Sequence, residues 1–173
     1  LLSEQLGFEP FYEPVTENPY LADFYAEMGR WGFHSQIFFL ANRLQIHRSA
    51  LASPHSTIQD RSIYEDAQVF AANLFERGGM SARDYETYRA LYQGIIGFLP
   101  PPDLVIYLQA SPATLLQRIA QRAREYERTI DADYLSALNR LYDRWLADFR
   151  LCPVLTITVD QLDVVRNPQH LQL

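Results

Sequence analysis

The chain has 173 residues, of which 48% are hydrophobic and 21% are charged, and its formal net charge is -6. This composition is ordinary for a globular protein with a buried core. The acidic balance argues against a nucleic-acid-binding surface, which usually needs a basic patch. No apolar run is long enough to span a bilayer, and the single cysteine excludes an internal disulfide framework. We therefore expect a protein of the reducing cytoplasm, without nucleic-acid or membrane partners.

The first residues have the pattern of a helix that has already begun. Leu1, Leu2 and Leu6 are spaced along one helix face, and Gly7 is typical of the residue that follows a helix end. No N-cap residue precedes them. We expect that a segment upstream of this helix is missing from the chain.

Short apolar strands alternate with longer helical patterns. Strands are predicted at residues 8–12, 57–59, 104–108 and 154–159, and helices at 21–28, 30–47, 62–75, 81–98, 111–122 and 135–149. The strand 104–108 is a near-continuous apolar run, of the kind buried on both faces of a parallel sheet. Strands separated by helices predict βαβ units. The predicted fold class is α/β, with one helix-rich domain over residues 1–173 and a parallel sheet flanked by helices on both faces.

Two helix starts have recognisable capping signals. Ser62 and Glu65 have the spacing of a capping box, in which each residue satisfies a backbone N–H of the other. Ser111 followed by Pro112 combines an N-cap residue with a proline at the first helical position. These signals fix the starts of the helices that follow the second and third strands.

Charged residues follow the first two predicted strands. Glu13 comes after the first strand, and Asp60 and Arg61 come directly after the second. Ligands of open α/β sheets bind beyond the carboxyl ends of the strands. A base, a metal ligand and a positive charge at that edge are what phosphoryl transfer requires. Each acid, taken alone, is better explained as a solvated cap or turn residue.

Two pairs of residues have spacings that suit a flat ligand. Gln36 and Arg43 lie seven residues apart, which on a helix is within about 20° of one face and roughly 10 Å along it. A glutamine amide can read the edge of a base. Asp66 and Phe70, four residues apart, place a carboxylate beside an aromatic ring. Surface exposure of the first pair and core packing of Phe70 are the alternatives.

Arginines are concentrated after the third strand. Arg118 and Arg122 are four residues apart, and Arg124 and Arg128 follow. Like charges at this spacing repel unless an anion lies between them. The residues 118–128 are therefore a candidate lid over the phosphates of ATP. The alternative is a solvated helix face on which the arginines alternate with glutamates.

Five runs of the sequence occur in a distinctive order. They are 8–15 (FEPFYEPV), 17–21 (ENPYL), 60–66 (DRSIYED), 99–104 (LPPPDL) and 122–127 (RAREYE). From residue 1 to about residue 160, the chain thereby resembles the deoxynucleoside kinase family, especially the bacterial deoxyadenosine/deoxyguanosine kinases. The resemblance implies transfer of the γ-phosphate of ATP to a deoxynucleoside 5′-hydroxyl in nucleotide salvage. It also implies Mg²⁺ as cofactor, a preference for purines and a homodimer.

The resemblance also implies the catalytic roles. Glu13 matches the general base that takes the proton of the 5′-hydroxyl. Arg61 matches the arginine that holds this carboxylate and the transferred phosphoryl group, and Asp60 matches the acid that helps to organise Mg²⁺.

Substrate-binding and lid residues follow in the same way. Gln36 and Asp66 resemble the base-reading pair, with Arg43 bracing Asp66 and Phe70 stacking on the base. The remaining matches are Tyr25 and Glu127 at the 3′-hydroxyl, and Arg118, Arg122 and Arg124 as lid arginines over the ATP phosphates.

The chain departs from the family pattern in two places. Ala123 stands where the lid of the family usually has glycine, which we expect to stiffen the lid slightly. No Gly-x-x-x-x-Gly-Lys-[Ser/Thr] run occurs in the sequence, although such a P-loop cradles the ATP phosphates in the family. We expect that the P-loop and its strand belong to the missing upstream segment, and that the chain alone has little or no kinase activity.

Two other functions share parts of this pattern. A thymidylate-kinase-like enzyme, which phosphorylates a nucleoside monophosphate, has the same architecture and the Asp-Arg pair. A non-catalytic module that binds nucleosides or mediates dimerisation would keep the fold without the P-loop. For the homodimer that the family resemblance implies, the apolar helices 30–47 and 81–98 are the candidate interface.

Overall fold

Helices form most of the described chain, and its strands are short and parallel. The computed structural model describes residues 1–13, 18–124, 127 and 130–171. It divides into two units, Leu1–Leu99 and Pro100–Leu173. Each unit contains one pair of parallel strands. The predicted helix-rich α/β class is thereby confirmed. Within these residues, no helix has both the length and the apolar character needed to cross a membrane.

In its described residues, the first unit alternates two short strands with six α-helices and a π-helix. In chain order these are α1 (Leu2–Leu6), β1 (Glu9–Phe11), α2 (Leu21–Ala26), α3 (Met28–Ala52), β2 (Thr57–Gln59), α4 (Ile63–Glu65), the π-helix (Asp66–Ala71), α5 (Ala72–Glu76) and α6 (Ala82–Ile96). β1 and β2 pair in parallel, with Phe11 opposite Gln59. Their carboxyl ends therefore lie side by side.

The long helix α3 is the centre of this unit. It buries small and polar residues as well as Leu40, and it packs against α2, the π-helix and α6. α3 approaches the turn after residue 76 closely at Gly32, where an added Cβ would lie 2.4 Å from the carbonyl oxygen of Gly79. Only a residue without a side chain fits at this position.

Ser62 and Glu65 pair as the predicted capping box requires, except that the Ser62 hydroxyl accepts the N–H of Tyr64 instead of that of Glu65. Ser62 is the N-cap of α4, its hydroxyl accepts a hydrogen bond from the backbone N–H of Tyr64 at 3.3 Å, and it donates to the Glu65 carboxylate at 2.7 Å. The helix that follows was predicted to be continuous to about Phe75. The structure instead inserts the π-helix Asp66–Ala71 between α4 and α5.

The second unit repeats the alternation. It contains β3 (Val105–Gln109), α7 (Pro112–Arg122), α8 (Ala132–Asp148), β4 (Val154–Thr158) and a 3₁₀ turn (Pro168–Leu171). β3 and β4 are parallel and in register from Val105 opposite Val154 to Gln109 opposite Thr158. Ser111 caps α7 and Pro112 is its first residue, as predicted.

β3 differs from its expected burial on both faces. Tyr107 stacks on Tyr142 of α8, with ring centroids 5.3 Å apart, so α8 covers this face. On the opposite face Ile106 is 40% exposed and Leu108 is 59% exposed. One face of β3 is therefore covered and the other is exposed, although hydrophobic residues lie on both faces.

Candidate active site

Glu13 and Arg61 meet beyond the ends of β1 and β2, as the strand-end pattern predicts. The Nε of Arg61 lies 3.5 Å from a carboxylate oxygen of Glu13. The Glu13 side chain is 5% exposed, whereas that of Arg61 is 44% exposed. Arg61 has a left-handed backbone, with φ 65°, a conformation that is rare and strained for a residue with a side chain. The turn after β2 thus directs a partly solvated guanidinium at a buried carboxylate.

Arg43 of α3 joins Glu13 to Asp66. Its guanidinium forms ion pairs with both carboxylates, and all three side chains are almost fully buried. Burial lowers the pKa of Arg43, and the attraction of Glu13 opposes this shift. The predicted contact with Asp66 is present. The contact with Glu13 was not predicted, and it links the candidate base-reading carboxylate to the candidate catalytic one.

Two aromatic rings flank these guanidinium groups. The ring of Phe70 lies 4.6 Å from the guanidinium carbon of Arg61 and 5.9 Å from that of Arg43. Phe39 lies 5.5 Å from the guanidinium carbon of Arg43. Sequence reasoning missed Phe39, although its position three residues after Gln36 and four before Arg43 places it on the same helix face.

The π-helix carries both Asp66 and Phe70. A π-helix closes its hydrogen bonds over five residues and is uncommon outside functional sites. The two side chains were expected to share a face by α-helical spacing. They do reach the same cluster, but through a wider turn of the backbone.

Gln36 lies in the same unit with an unsatisfied acceptor. The residue is 5% exposed, and its side-chain oxygen has no hydrogen-bond partner among the described residues. Buried polar atoms are nearly always paired, so this oxygen is ready to accept a hydrogen bond from a ligand. Tyr25, on α2, packs edge-on against Phe24 with ring centroids 5.2 Å apart.

Asp60 is exposed beside Arg61, and its backbone N–H donates to the carbonyl of Phe11 at 2.8 Å. In the described ranges, no three or more His, Cys, Asp or Glu side chains form a group able to hold a metal ion. Mg²⁺ retains several waters and often takes only one or two protein carboxylates together with substrate phosphates. A single exposed carboxylate at this strand end therefore fits the predicted role of Asp60.

In the second unit, two of the predicted lid arginines contact Glu127. Arg122 makes a bidentate contact with the buried Glu127 carboxylate, at 2.8 and 3.1 Å, and Arg124 lies 3.6 Å from it. Ala123 between them is left-handed, with φ 54° and ψ 35°. Glycine adopts this conformation without steric cost, which agrees with the glycine usual at this position. Arg128 lies outside the described residues.

Arg118 has a different environment from the other two arginines. Its guanidinium donates hydrogen bonds to the carbonyl oxygens of Val159 and Leu162, at 2.6 and 2.8 Å. These bonds tie α7 to the segment after β4. Its predicted contact with ATP phosphates stays a prediction.

Comparison with known proteins agrees with this geometry. The family model described as deoxynucleoside kinase matches residues 1–172. The chain is 36% identical to the deoxyadenosine/deoxycytidine kinase of Bacillus subtilis, over 99% of this chain and 80% of that protein. It is 39% identical to the deoxyadenosine kinase of Dictyostelium discoideum, over 90% of this chain and 64% of that protein. The structure of M. mycoides deoxyadenosine kinase with bound dATP superposes with a TM-score of 0.85 at 30% identity, covering 99% of this chain and 88% of the other. The chain belongs to the deoxynucleoside kinase family.

Proposed function

We propose that the protein transfers the γ-phosphate of ATP to the 5′-hydroxyl of a deoxynucleoside in nucleotide salvage. The observation that carries this proposal is the buried Glu13 carboxylate, held between Arg43 and Arg61 where two parallel strands end. The named activities of the similar proteins support the same reaction, and most of them act on purine deoxynucleosides. A purine is therefore the favoured substrate.

In this mechanism, Glu13 accepts the proton of the 5′-hydroxyl as that oxygen attacks the phosphoryl group. General base catalysis requires such a group within hydrogen-bonding distance of the proton. Arg61 holds the carboxylate, and its partly exposed guanidinium stabilises the negative charge on the transferred group. Mg²⁺ at Asp60, when bound, would neutralise charge on the phosphates.

The base is held by residues of α3 and the π-helix. The unpaired oxygen of Gln36 accepts a hydrogen bond from an amino or imino group of the base. Asp66, held by Arg43, presents a second polar group, and the rings of Phe39 and Phe70 supply apolar faces for stacking.

The lid arginines Arg122 and Arg124 are proposed to contact the phosphates of ATP. In the structure, both guanidinium groups pair with Glu127. This pairing keeps them ordered until the phosphates of ATP replace the Glu127 carboxylate.

The predicted roles of Tyr25 and Glu127 at the 3′-hydroxyl stay predictions, as does the cytoplasmic location. The homodimer also stays a prediction, supported by Leu51 of α3 and Leu91 of α6, which are 49% and 45% exposed.

A substrate panel with Glu13→Gln tests the proposal. The full-length gene product is assayed with ATP and Mg²⁺ on the four deoxynucleosides and, side by side, on their monophosphates. Glu13→Gln should lower kcat by about 10² to 10⁴-fold, because the general base is lost. The affinity for deoxyadenosine, measured by calorimetry, should change far less.

Glu9→Gln is the matched control, since Glu9 is an exposed carboxylate at the start of β1, whereas Glu13 follows the end of that strand. It should leave kcat unchanged. Full activity of Glu13→Gln would refute the role of this carboxylate. A preference for monophosphates would indicate a thymidylate-kinase-like enzyme, and nucleoside binding without transfer would indicate a non-catalytic module.

A further inference from the structure

One guanidinium serves two buried carboxylates. Arg43 of α3 donates a hydrogen bond from one terminal nitrogen to Glu13, and its other terminal nitrogen forms an ion pair with Asp66. The side chains of Arg43, Glu13 and Asp66 are 4%, 5% and 1% exposed. Water screens buried charges only weakly, so the two carboxylates compete for the same positive charge. A change at one carboxylate therefore affects the other.

The two oxygens of Glu13 have different partners. Oε1 accepts the hydrogen bond from the buried Arg43. Oε2 faces Arg61, whose Nε lies 3.5 Å away and whose side chain is 44% exposed. Arg43 thus holds one oxygen from the interior, and the other oxygen, on the partly solvated side, is left for the 5′-hydroxyl of a substrate.

Asp66 has capacity for a further partner. The charge of Arg43 holds it, but neither of its carboxylate oxygens has a hydrogen-bond partner among the described residues. Buried polar atoms are rarely left in this state. A donor from a ligand, such as the exocyclic amino group of a base, would complete the hydrogen bonding of this carboxylate.

We propose that Arg43 is a positioning residue that couples occupation of the base site at Asp66 to the orientation of the Glu13 carboxylate. This inference rests on the proposed function. A base that donates to Asp66 offsets part of the charge of that carboxylate, so Arg43 is drawn more strongly to Glu13. Oε1 is then held more firmly, and Oε2 is directed at the 5′-hydroxyl. The base thereby contributes to catalysis as well as to binding.

Two nucleosides that differ by one amino group test the coupling in the wild-type protein. Purine 2′-deoxyriboside lacks the exocyclic amino group of deoxyadenosine. With the full-length gene product, ATP and Mg²⁺, its kcat should be about twofold to tenfold lower than that of deoxyadenosine, the effect of about one net hydrogen bond. A difference in KM alone would overturn the inference, because Asp66 would then only bind the base.

Asp66→Asn completes the cycle. The variant has no carboxylate that competes with Glu13 for the charge of Arg43, so the amino group of the base loses its route to catalysis. At saturating concentrations, the two nucleosides should then react with kcat values within about twofold of each other. An undiminished kcat ratio in this variant would show that the amino group acts without Asp66, and would contradict the coupling.

Arg43→Lys keeps the positive charge but replaces the planar fork by a single ammonium group. The kcat for deoxyadenosine should fall about tenfold to a hundredfold, the loss expected for a hydrogen bond to a charged group. The difference in kcat between the two nucleosides should disappear. Arg48→Lys, at an exposed position on the same helix, is the matched control and should retain both kcat values. Wild-type behaviour of Arg43→Lys would exclude the role of the fork.

The coupling can also be observed without phosphoryl transfer. 2′,5′-Dideoxyadenosine has the base but not the 5′-hydroxyl, so its base acts on Glu13 only through Asp66 and Arg43. Calorimetry measures its binding. On saturation, the carboxyl ¹³C NMR signal of Glu13, identified by its absence in Glu13→Gln, should shift, whereas that of Glu9 should not. Binding without a shift of the Glu13 signal would refute the coupling. A shift together with an inactive full-length protein would refute only the proposed function.

Discussion

Glu65 is a buried carboxyl group beside the ion-paired cluster. It is 7% exposed and belongs to the capping box with Ser62. Burial raises its pKa, and the positive charge of Arg43 and the hydrogen bond from Ser62 only partly oppose the shift. The folded protein therefore binds a proton at this position more tightly than the unfolded chain does.

Glu65→Gln should stabilise the protein at neutral pH. A carboxyl whose folded pKa is raised contributes most stability below its unfolded value of 4.5, and this contribution is lost as the pH rises through the folded pKa. Glutamine carries no charge and keeps the acceptor of the capping box. The variant's gain should thus be absent below pH 4.5, appear as the pH rises and become constant above the folded pKa. Urea unfolding across this range measures it.

Glu86→Gln, at an exposed position on α6, is the control and should show no such pH dependence. A gain from Glu65→Gln that is equally large at acid pH would contradict the explanation.

Single residues were predictable where chemistry and spacing coincide. Glu13 and Arg61 follow directly from the ends of two strands, and the structure brings them together. The contact between Arg43 and Glu13 joins residues 30 positions apart in the sequence. No local pattern can predict such a contact, because it depends on how α3 packs against β2, the strand that pairs with β1.

At the scale of elements, the contact between α3 and the turn after α5 limits what the helix can contain. A Cβ on Gly32 would meet the Gly79 carbonyl, a backbone atom that cannot rotate away as a flexible side chain would. On the other side, a Cβ added to Gly79 would lie 3.6 Å from the Cβ of Met28, the first residue of α3. The two elements therefore touch through glycine on both sides.

Gly32→Ala should destabilise the protein by about 1 to 3 kcal/mol, the usual penalty for overpacking a tight contact. Gly29→Ala provides the control on the same helix, because nothing lies within 4 Å of its Cβ position. It should raise stability by about 0.5 to 1 kcal/mol through helix propensity alone. Chemical denaturation measures both, and equal effects of the two substitutions would exclude a steric role for Gly32.

The positions of helices and strands could be predicted from hydrophobic periodicity. Their ends could be predicted only where the sequence contains a start or stop signal. β2 was predicted at the residues it occupies, and α7 begins at its N-cap serine. α3 runs five residues beyond the predicted end, to Ala52, because nothing before Ser53 and Pro54 stops a helix. The π-helix had no signal in the sequence, since any helix-forming run is compatible with an α-helix.

At the scale of the whole molecule, the resemblance to the deoxynucleoside kinase family predicted the fold and the activity, which composition could not. The parallel pairing in both units and the family match agree with it. Composition predicted only an ordinary acidic globular protein. The environment of Arg118 was not predictable, because the carbonyl groups that it contacts belong to residues 41 and 44 positions later.

Deoxyadenosine should stabilise the whole protein by mass action. At a concentration one hundred times its Kd, a ligand that binds only the folded state raises the free energy of unfolding by about 2.7 kcal/mol. Asp66→Asn should abolish most of this increment, since the amide no longer pairs with Arg43. Asp84→Asn, at a half-buried position in the first turn of α6, should keep it. Denaturant unfolding with and without nucleoside gives the increments, and an unchanged increment in Asp66→Asn would remove Asp66 from the proposed base-binding site.

The π-helix places a restriction on attempts to redesign this protein for another nucleoside. Each residue of an α-helix turns the chain by about 100°, and the wider π turn already holds more residues than an α turn, so inserting one further residue between Asp66 and Ala71 would swing every later side chain of that run to a new direction. The fully buried Asn73 and the nearly buried Leu74 would then leave the interior. Libraries that vary side-chain identity along this segment are compatible with the fold, whereas libraries that lengthen it are not.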